Sequence, residues 1–313
     1  MRILNPALAA WLKTANLAAQ HAIAAGFKPT PVNMREILAL TTRMNVTNIP
    51  HIPVVLDDIV PTGGYPVPVR IYHPSPLEKL PVLVYFHGGG HVSGSVSVYD
   101  PICRKLAMAT RHVVVSAEYR LAPECAYPAG LEDAIGVVRY VWRVLDDRQL
   151  NYRHILSIAG DSGGGALCAS VSGKPQFESD VDIKRQVLIY PSVDYTLSMP
   201  SVKEFARGFL LEESKIFWYF NNYFQHGEDY REASPLFWKF TKNLPETFVI
   251  TAGFCPLRDE GKAYAQKVRD AGVYSVELEM EDMIHAFVNM ENIVPDACRK
   301  LYAEIAAFMQ RPY

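Results

Sequence analysis

The feature that most constrains the fold is the alternation of short apolar runs with helical patterns through the middle of the chain. The runs at 82–86, 112–117 and 247–252 are apolar nearly throughout, which is typical of parallel strands covered on both faces. This alternation predicts an α/β fold with a mostly parallel sheet. Eight strands are predicted, at Val54–Ile59, Val67–His73, Val82–His87, His112–Glu118, Ile155–Gly160, Gln186–Tyr190, Thr247–Gly253 and Ser275–Met280. Helices are predicted near 97–110, 130–145, 162–173, 259–271 and 295–310.

Two segments fall outside this alternation. Residues 1–45 are predicted to form helices before any strand, with Asn5 as an N-cap and Pro6 at the first helical position. Residues 197–240 contain a dense group of aromatic side chains, at Phe217, Trp218, Tyr219, Phe220, Tyr223 and Phe224. This group predicts the core of a small helical subdomain, part of which can also line an apolar pocket above the sheet.

Composition excludes several classes of protein. Lys and Arg number 31 against 33 for Asp and Glu, so no basic excess is present to bind nucleic acid. No apolar run reaches the roughly 18 residues that a membrane span needs, and the N-terminus lacks a secretory apolar core. The five cysteines, with no close pairing and no zinc-like spacing, favour reduced thiols and no metal site. We therefore expect a cytoplasmic protein.

A G-x-S-x-G pentapeptide, Gly160-Asp161-Ser162-Gly163-Gly164, follows the predicted strand that ends at Gly160. Alone, it could be a glycine-rich turn. A strand before it and a small-residue helix after it instead favour a sharp strand-to-helix turn that exposes the serine hydroxyl. Ser162 is therefore a candidate nucleophile.

A second glycine-rich segment, His87-Gly88-Gly89-Gly90, follows the apolar run Val82–Phe86. Alone, it could be an ordinary loop between a strand and a helix. Consecutive glycines also expose backbone N–H groups, and a serine esterase needs such donors to stabilise the oxyanion. The position of this segment, before the serine motif, favours the second interpretation.

Together these motifs resemble the hormone-sensitive lipase family of bacterial carboxylesterases, within the α/β-hydrolase superfamily. The matching stretches lie in family order between residues 50 and 290, at Tyr85–Gly90, Glu118–Glu124, Gly160–Gly164, Tyr190-Pro191, Ser234–Leu236, Val249–Gly261 and Ile284–Phe287. The resemblance implies an α/β-hydrolase fold, with an eight-stranded, mostly parallel sheet and a helical cap. It assigns 46–196 and 241–313 to the catalytic domain, and 1–45 and 197–240 to the cap.

The resemblance also implies hydrolysis of short-to-medium acyl esters. Ser162 would attack the acyl carbon, and His285, last in the order Ser…acid…His, would act as the base. The oxyanion hole is predicted at Gly88, Gly89, Gly90 and Gly163. Relatives include amidases and deacetylases, so the leaving group stays open. No cofactor is expected, the partner is a small-molecule ester, and a homodimer stays open because dimers are common among relatives.

The chain departs from the family at the catalytic acid, where Cys255 stands in place of an Asp. A neutral thiol is a weak acceptor and is poorly suited to orient His285. Three hypotheses follow. Another carboxylate could serve, and the candidates are Asp259, Glu260, Asp194 and Asp282. The esterase could be weakened, with Cys255 in a partial role. Alternatively, the chain could be a ligand-binding protein on a hydrolase fold.

Two smaller departures lie beside the predicted site. His91 follows the three glycines where relatives tend to have a bulky aromatic residue, and Ala286 follows His285 where relatives usually have Gly. Both positions could change access for the alcohol or the geometry of the loop.

Overall fold

The computed structural model describes residues 2–174 and 181–312, and a sheet of eight strands runs through them. The strands are β1 (Val54–Val60), β2 (Val67–His73), β3 (Leu80–Phe86), β4 (Val113–Ala117), β5 (Tyr152–Asp161), β6 (Ile183–Ile189), β7 (Glu246–Phe254) and β8 (Ser275–Ile284). Their order across the sheet is β1-β2-β4-β3-β5-β6-β7-β8. β2 pairs antiparallel with β1 and β4, and the other neighbours are parallel. The prediction of eight mostly parallel strands is confirmed.

Two strands are longer than their apolar patterns predict. β5 begins at Tyr152 because the polar residues there still pair with β3, through the register Leu80↔Tyr152. β8 continues past Met280 because an irregularity in its pairing with β7 brings Ile284 opposite Phe254. Backbone pairing with a neighbour therefore extends both strands beyond the residues that burial alone selects.

The helices occupy the predicted segments. They are α1 (Pro6–Ala24), α2 (Pro31–Asn45), α3 (Val96–Thr110), α4 (Ala129–Asp147), α5 (Gly163–Gly173), α6 (Pro200–Glu204), α7 (Glu213–Tyr223), α8 (Tyr230–Ala233), α9 (Arg258–Asp270) and α10 (Pro295–Met309). As predicted, Asn5 caps α1, and its side chain accepts a hydrogen bond from the Ala7 N–H at 3.0 Å. Within residues 2–174 and 181–312, no helix combines the length and the apolar character that crossing a membrane requires.

Each face of the sheet carries its own layer of helices. Buried residues of α3 and α10 form one apolar cluster with one face, and those of α4, α5 and α9 form a second cluster with the other. Leu8 and Leu12 of α1 and Phe220 and Tyr223 of α7 belong to the first cluster. The helices outside the α/β alternation therefore share the core of the sheet.

The order of the strands determines where a site can form. β4 lies on one side of β3 in the sheet and β5 lies on the other side, so the chain crosses from one side of β3 to the other between β4 and β5. Loops at the carboxyl ends of such a pair of strands leave a crevice, which is the usual place for a ligand in an open α/β sheet. The segment His87–Gly90 follows β3 directly. The segment Gly160–Gly164 spans the end of β5 and the start of α5.

Candidate active site

Ser162 lies at the sharp turn between β5 and α5. Its backbone is in an unusual conformation, with φ of 53° and ψ of −118°, which is a strained state for a residue with a side chain. The turn is held because the Ser162 N–H donates to the Ile189 carbonyl at 2.9 Å. A Cβ at Gly164 would lie 2.0 Å from the Phe86 carbonyl oxygen, so glycine is required there. The pentapeptide therefore folds as its sequence predicts.

His285 follows β8 directly, and its ring reaches Ser162. The Nε2 atom lies 2.9 Å from the Ser162 Oγ, within hydrogen-bond distance. The ring is buried, and it packs against Tyr190 with centroids 4.6 Å apart. Burial, together with the positive charge of Lys215, lowers the pKa of His285 to about 3. The imidazole is thus neutral at pH 7, as a general base must be.

Cys255 follows β7 and contacts the other ring nitrogen of His285. Its Sγ lies 3.1 Å from His285 Nδ1, and the Leu257 N–H donates to the same sulfur at 3.3 Å. Cys255 is fully buried. Burial raises the pKa of its thiol well above the ordinary value, so the group facing His285 at neutral pH is a thiol and not a thiolate.

The four carboxylates considered as substitutes for the acid are bonded elsewhere. Asp259 accepts from Arg258 and the Ser201 N–H, and Asp194 accepts from Thr196 and Ser198. Glu260 accepts from the N–H groups of Val193 and Asp194, and Asp282 accepts from the Asn5 side chain. The sulfur of Cys255 contacts Nδ1 instead. Asp259 and Asp194, the candidates named as substitutes for the acid, are thus engaged by other groups, and the position next to Nδ1 is occupied by Cys255.

The glycine loop after β3 approaches the start of α5. A Cβ at Gly163 would lie 3.3 Å from the Gly90 nitrogen, so the two backbones are in close contact. In the part of the chain that the structure describes, the N–H groups of Gly89, Gly90 and Gly163 form no hydrogen bond. The Gly88 N–H donates to Asp161 Oδ1 at 2.7 Å. Gly88, which was also expected as an oxyanion donor, thus has its N–H bonded to Asp161.

Asp161, which precedes Ser162, connects the two glycine motifs. Its carboxylate accepts from Tyr85 Oη at 2.8 Å and Tyr99 Oη at 3.1 Å, in addition to Gly88. Burial raises the pKa of Asp161 to about 6, although the tyrosine hydroxyls and the Gly88 N–H oppose this shift. This network was not predicted from the sequence, because its members lie far apart in the chain. The one local signal was a charged residue, Asp161, at the end of an apolar strand.

A largely apolar cavity opens onto Ser162 and His285. Its lining includes Met34, Ile37, Leu38 and Thr41 from α2 and Lys215, Ile216, Tyr219 and Phe220 from α7. Tyr219 and Phe220 belong to the aromatic group noted in the sequence, whereas Tyr223 and Phe224 are buried in the core. The aromatic segment thus contributes both to the hydrophobic core and to the lining of the cavity.

Two residues beside the site depart from the family pattern, His91 and Ala286, and the structure shows their surroundings. His91 stacks on Tyr223 with ring centroids 3.9 Å apart, so it occupies an aromatic environment. Burial lowers the pKa of His91 to about 3, which keeps its ring uncharged. Ala286 has a φ of 61°, a conformation that glycine adopts more readily.

Over residues 2–174 and 181–312, no cluster of three or more His, Cys, Asp or Glu side chains is arranged to hold a metal ion. The five cysteines are unpaired, and Cys103, Cys168, Cys255 and Cys298 are buried.

Comparison with known proteins identifies the class. A family model described as the alpha/beta hydrolase fold matches residues 83–289, so the chain belongs to the α/β-hydrolase family. It is 35% identical over 249 residues to the carboxylesterase NlhH of Mycobacterium tuberculosis, covering 77% of each chain. It is 30% identical over 253 residues to an ethyl acetate hydrolase of Pseudomonas putida, covering 79% of each.

Solved structures agree with this assignment. A hyperthermophilic esterase from Pyrobaculum calidifontis has a TM-score of 0.88 to this chain, at 35% identity and with 98% of each chain covered. The predicted α/β-hydrolase fold and the resemblance to its carboxylesterases are confirmed.

Proposed function

We propose that this chain is a serine carboxylesterase that hydrolyses short-to-medium acyl esters. The observation that carries the proposal is the distance of 2.9 Å between Ser162 Oγ and His285 Nε2, at the lining of a largely apolar cavity. A serine hydroxyl next to a neutral imidazole can form an acyl-enzyme. An apolar cavity favours a hydrocarbon acyl chain, because burying that chain removes apolar surface from water.

The reaction would proceed in two steps. Ser162 Oγ forms a bond to the acyl carbon while His285 Nε2 takes its proton, and the N–H groups of Gly89, Gly90 and Gly163 bind the oxyanion. The tetrahedral intermediate then breaks its bond to the alcohol oxygen, which leaves with the proton from His285. Water attacks the acyl-enzyme in the same way, and it releases the acid and restores Ser162. Asp161 is proposed to position the glycine loop through Gly88.

Cys255 would weaken this mechanism through the tautomer of His285. The base must carry its proton on Nδ1, so that Nε2 is free to accept the proton of Ser162. A carboxylate enforces this tautomer, whereas a neutral thiol can either accept from Nδ1–H or donate to Nδ1. When the thiol donates, Nε2 carries the proton and cannot act as a base. We therefore propose that the esterase has reduced activity.

The division into domains remains part of the proposal. Residues 46–196 and 241–313 would form the catalytic domain, and 1–45 and 197–240 would form the cap. Support comes from α2 and α7, which line the cavity opposite the carboxyl ends of the strands. The cap would then shape the acyl site.

The test is covalent labelling together with turnover of p-nitrophenyl esters of increasing acyl length. We expect a fluorophosphonate to label the wild type at Ser162, and we expect measurable hydrolysis that is strongest for short or medium chains. Ser162→Ala should lose both the label and the hydrolysis. Ser192→Ala is the matched control, since Ser192 also lines the cavity, and it should keep the label at Ser162.

The outcome decides between the two classes of function. Absence of labelling and hydrolysis, together with tight binding of a small ligand, would show that the chain is a ligand-binding protein on a hydrolase fold. Labelling at Ser192 or at another residue would show that Ser162 is not the nucleophile.

A further inference from the structure

Lys215 lies in the first turn of α7 and lines the same cavity as Ser162 and His285. The same cavity is lined by Leu211, which precedes the helix, and by Ile216 and Tyr219 of α7. A lysine at an apolar cavity is costly, because its charge is partly removed from water. Such a cation is expected to have an anionic partner when the site is in use.

The protein itself leaves the ammonium group incompletely bonded. Lys215 Nζ donates to the Leu210 carbonyl at 2.8 Å, and an ammonium group has three donors. Across residues 2–174 and 181–312, Lys215 forms no ion pair. Glu212, whose charge acts on Lys215, accepts from the Gly208 N–H at 2.7 Å, and Asp161 is bonded to Tyr85, Tyr99 and Gly88. Two donors of Lys215 are therefore free for a ligand.

The charge of Lys215 acts in the catalytic site. It lowers the pKa of His285, second to burial. Burial lowers the pKa of Lys215 itself, and the Glu212 charge opposes that shift. The effect on His285 means that a group bound at Ser162 lies within the field of Lys215.

The spacing along α7 indicates how far an anionic group bound at Lys215 would lie from an ester carbonyl at Ser162. A Cβ at Gly90 would lie 2.6 Å from the ring of Tyr219, so the glycine loop packs directly on this side chain. Lys215 precedes Tyr219 by one helical turn, about 6 Å along the axis. A carbonyl bound at the glycine loop is thus separated from Lys215 by a distance that a few bonds can cover.

We infer that the substrate carries a carboxylate a few bonds from its ester carbonyl, and that Lys215 binds this carboxylate. The chemical class is the anionic ester, such as a monoester of a dicarboxylic acid. This inference rests on the proposed esterase function and adds to it a determinant of specificity. A charge-assisted hydrogen bond inside an apolar cavity is strong enough to discriminate between a carboxylate and a methyl group.

The test uses two esters with acyl chains of equal length. Monoethyl glutarate ends in a carboxylate where ethyl pentanoate ends in a methyl group, and hydrolysis of both can be followed by chromatography of the products. A second pair, 4-(butyryloxy)butanoate and butyl butyrate, places the carboxylate on the alcohol side. We expect Lys215→Met to lower the ratio of kcat/KM, anionic ester over neutral ester, by tenfold or more for at least one pair.

Two variants serve as controls. Lys215→Arg keeps the charge and should keep the ratio within a few-fold of the wild type. Lys203→Met removes the same charge from an exposed lysine of α6 that pairs with Glu213 outside the cavity, and its ratio should equal that of the wild type. A structural role of Lys215 would lower kcat/KM for both esters of a pair equally.

Binding separates this inference from the esterase proposal. In Ser162→Ala, ligand-observed NMR should detect monoethyl glutarate or 4-(butyryloxy)butanoate, and the signal should be lost when Lys215→Met is added. Unchanged ratios in Lys215→Met for both pairs, with normal turnover of neutral esters, would overturn the inference and leave the esterase function intact. Absence of all turnover, together with lysine-dependent binding, would overturn the esterase function and leave the anion site. Absence of both would overturn both proposals.

Discussion

At the scale of single residues, we expect the contact between Cys255 and His285 to limit activity. The sulfur occupies the position from which a carboxylate would hold the imidazole, at 3.1 Å from Nδ1. A carboxylate also stabilises the imidazolium that forms during the reaction. Triads in which the acid is replaced by a neutral group lose roughly 10⁴ in kcat. A neutral thiol supplies neither the fixed tautomer nor the negative charge.

Cys255→Asp is therefore expected to raise kcat by two or more orders of magnitude. The new carboxylate would accept from His285 Nδ1–H and from the Leu257 N–H, which already points at the sulfur. The measurement is kcat for a p-nitrophenyl ester at neutral pH. Cys255→Ser, which is neutral and similar in size, should change kcat far less. A rise of less than threefold in Cys255→Asp would mean that the thiol is not what limits the rate.

Some of these residues could be predicted from the sequence, and others could not. Ser162, His285 and the odd position of Cys255 follow from local motifs, because a short segment determines each turn. The contacts of Asp161 with Tyr85 and Tyr99 join residues far apart in the chain, so no local pattern contains them. Lys215 is intermediate. Its spacing from Tyr219 is helical and would have placed these two side chains on one face of α7.

At the scale of elements, we expect the position of α7 against the glycine loop to set the alignment of the proposed oxyanion donors. Gly90 has a φ of 62°, and its α-carbon faces the Tyr219 ring so closely that no side chain fits. The loop and the helix thus share one surface. The contact with Tyr219 requires glycine at position 90, although some other residues could adopt this backbone conformation.

Gly90→Ala is expected to lower kcat by about tenfold or more, because loss of one oxyanion donor typically costs 10²- to 10³-fold and a displaced donor costs part of that. Gly272→Ala is the matched control. Gly272 also has a positive φ, of 80°, but a Cβ there would have nothing within 4 Å. It should lose about 1 kcal/mol of stability and keep its kcat. Equal kcat in both variants would contradict the role of the contact with Tyr219.

The elements themselves were largely predictable. Apolar runs identified the central strands most clearly, because a strand buried on both faces, such as β3 or β4, has few polar residues. The extensions of β5 and β8 were missed because hydrogen bonding to a neighbouring strand, rather than burial, includes Tyr152 and Ile284. The antiparallel pairing of β2 with β4 could not be predicted either, because hydrophobic periodicity does not show which strands pair or in which direction.

At the scale of the whole molecule, a buried acid couples stability to pH. Glu260 is fully buried. Burial first, and then the charge of Asp194, raises the pKa of its carboxyl well above the usual 4.5. The folded chain therefore retains a proton that the unfolded chain releases above about pH 4.5. The contribution of this group is fully present below that pH and is lost as pH rises toward the raised pKa.

We expect the free energy of unfolding of the wild type, relative to Glu260→Gln, to fall as pH rises from 4.5. The slope should approach about 1.4 kcal/mol per pH unit while the proton is retained. Gln keeps an oxygen that can accept from the Val193 and Asp194 N–H groups. The measurement is urea unfolding at a series of pH values, with Glu304→Gln, on the exposed side of α10, as the control. Parallel curves for wild type and Glu260→Gln would contradict the shift.

The contact between α1 and β8 bears on the order in which the protein can be made. The Asn5 N–H donates to the Asp282 carbonyl at 3.0 Å, and Leu8 and Leu12 share a cluster with Leu301 and Ile305. On the ribosome, α1 emerges well before these partners. Its apolar face therefore stays uncovered until β8 and α10 have also emerged, and native packing of α1 cannot be completed earlier. An apolar surface that stays exposed during synthesis is prone to aggregation.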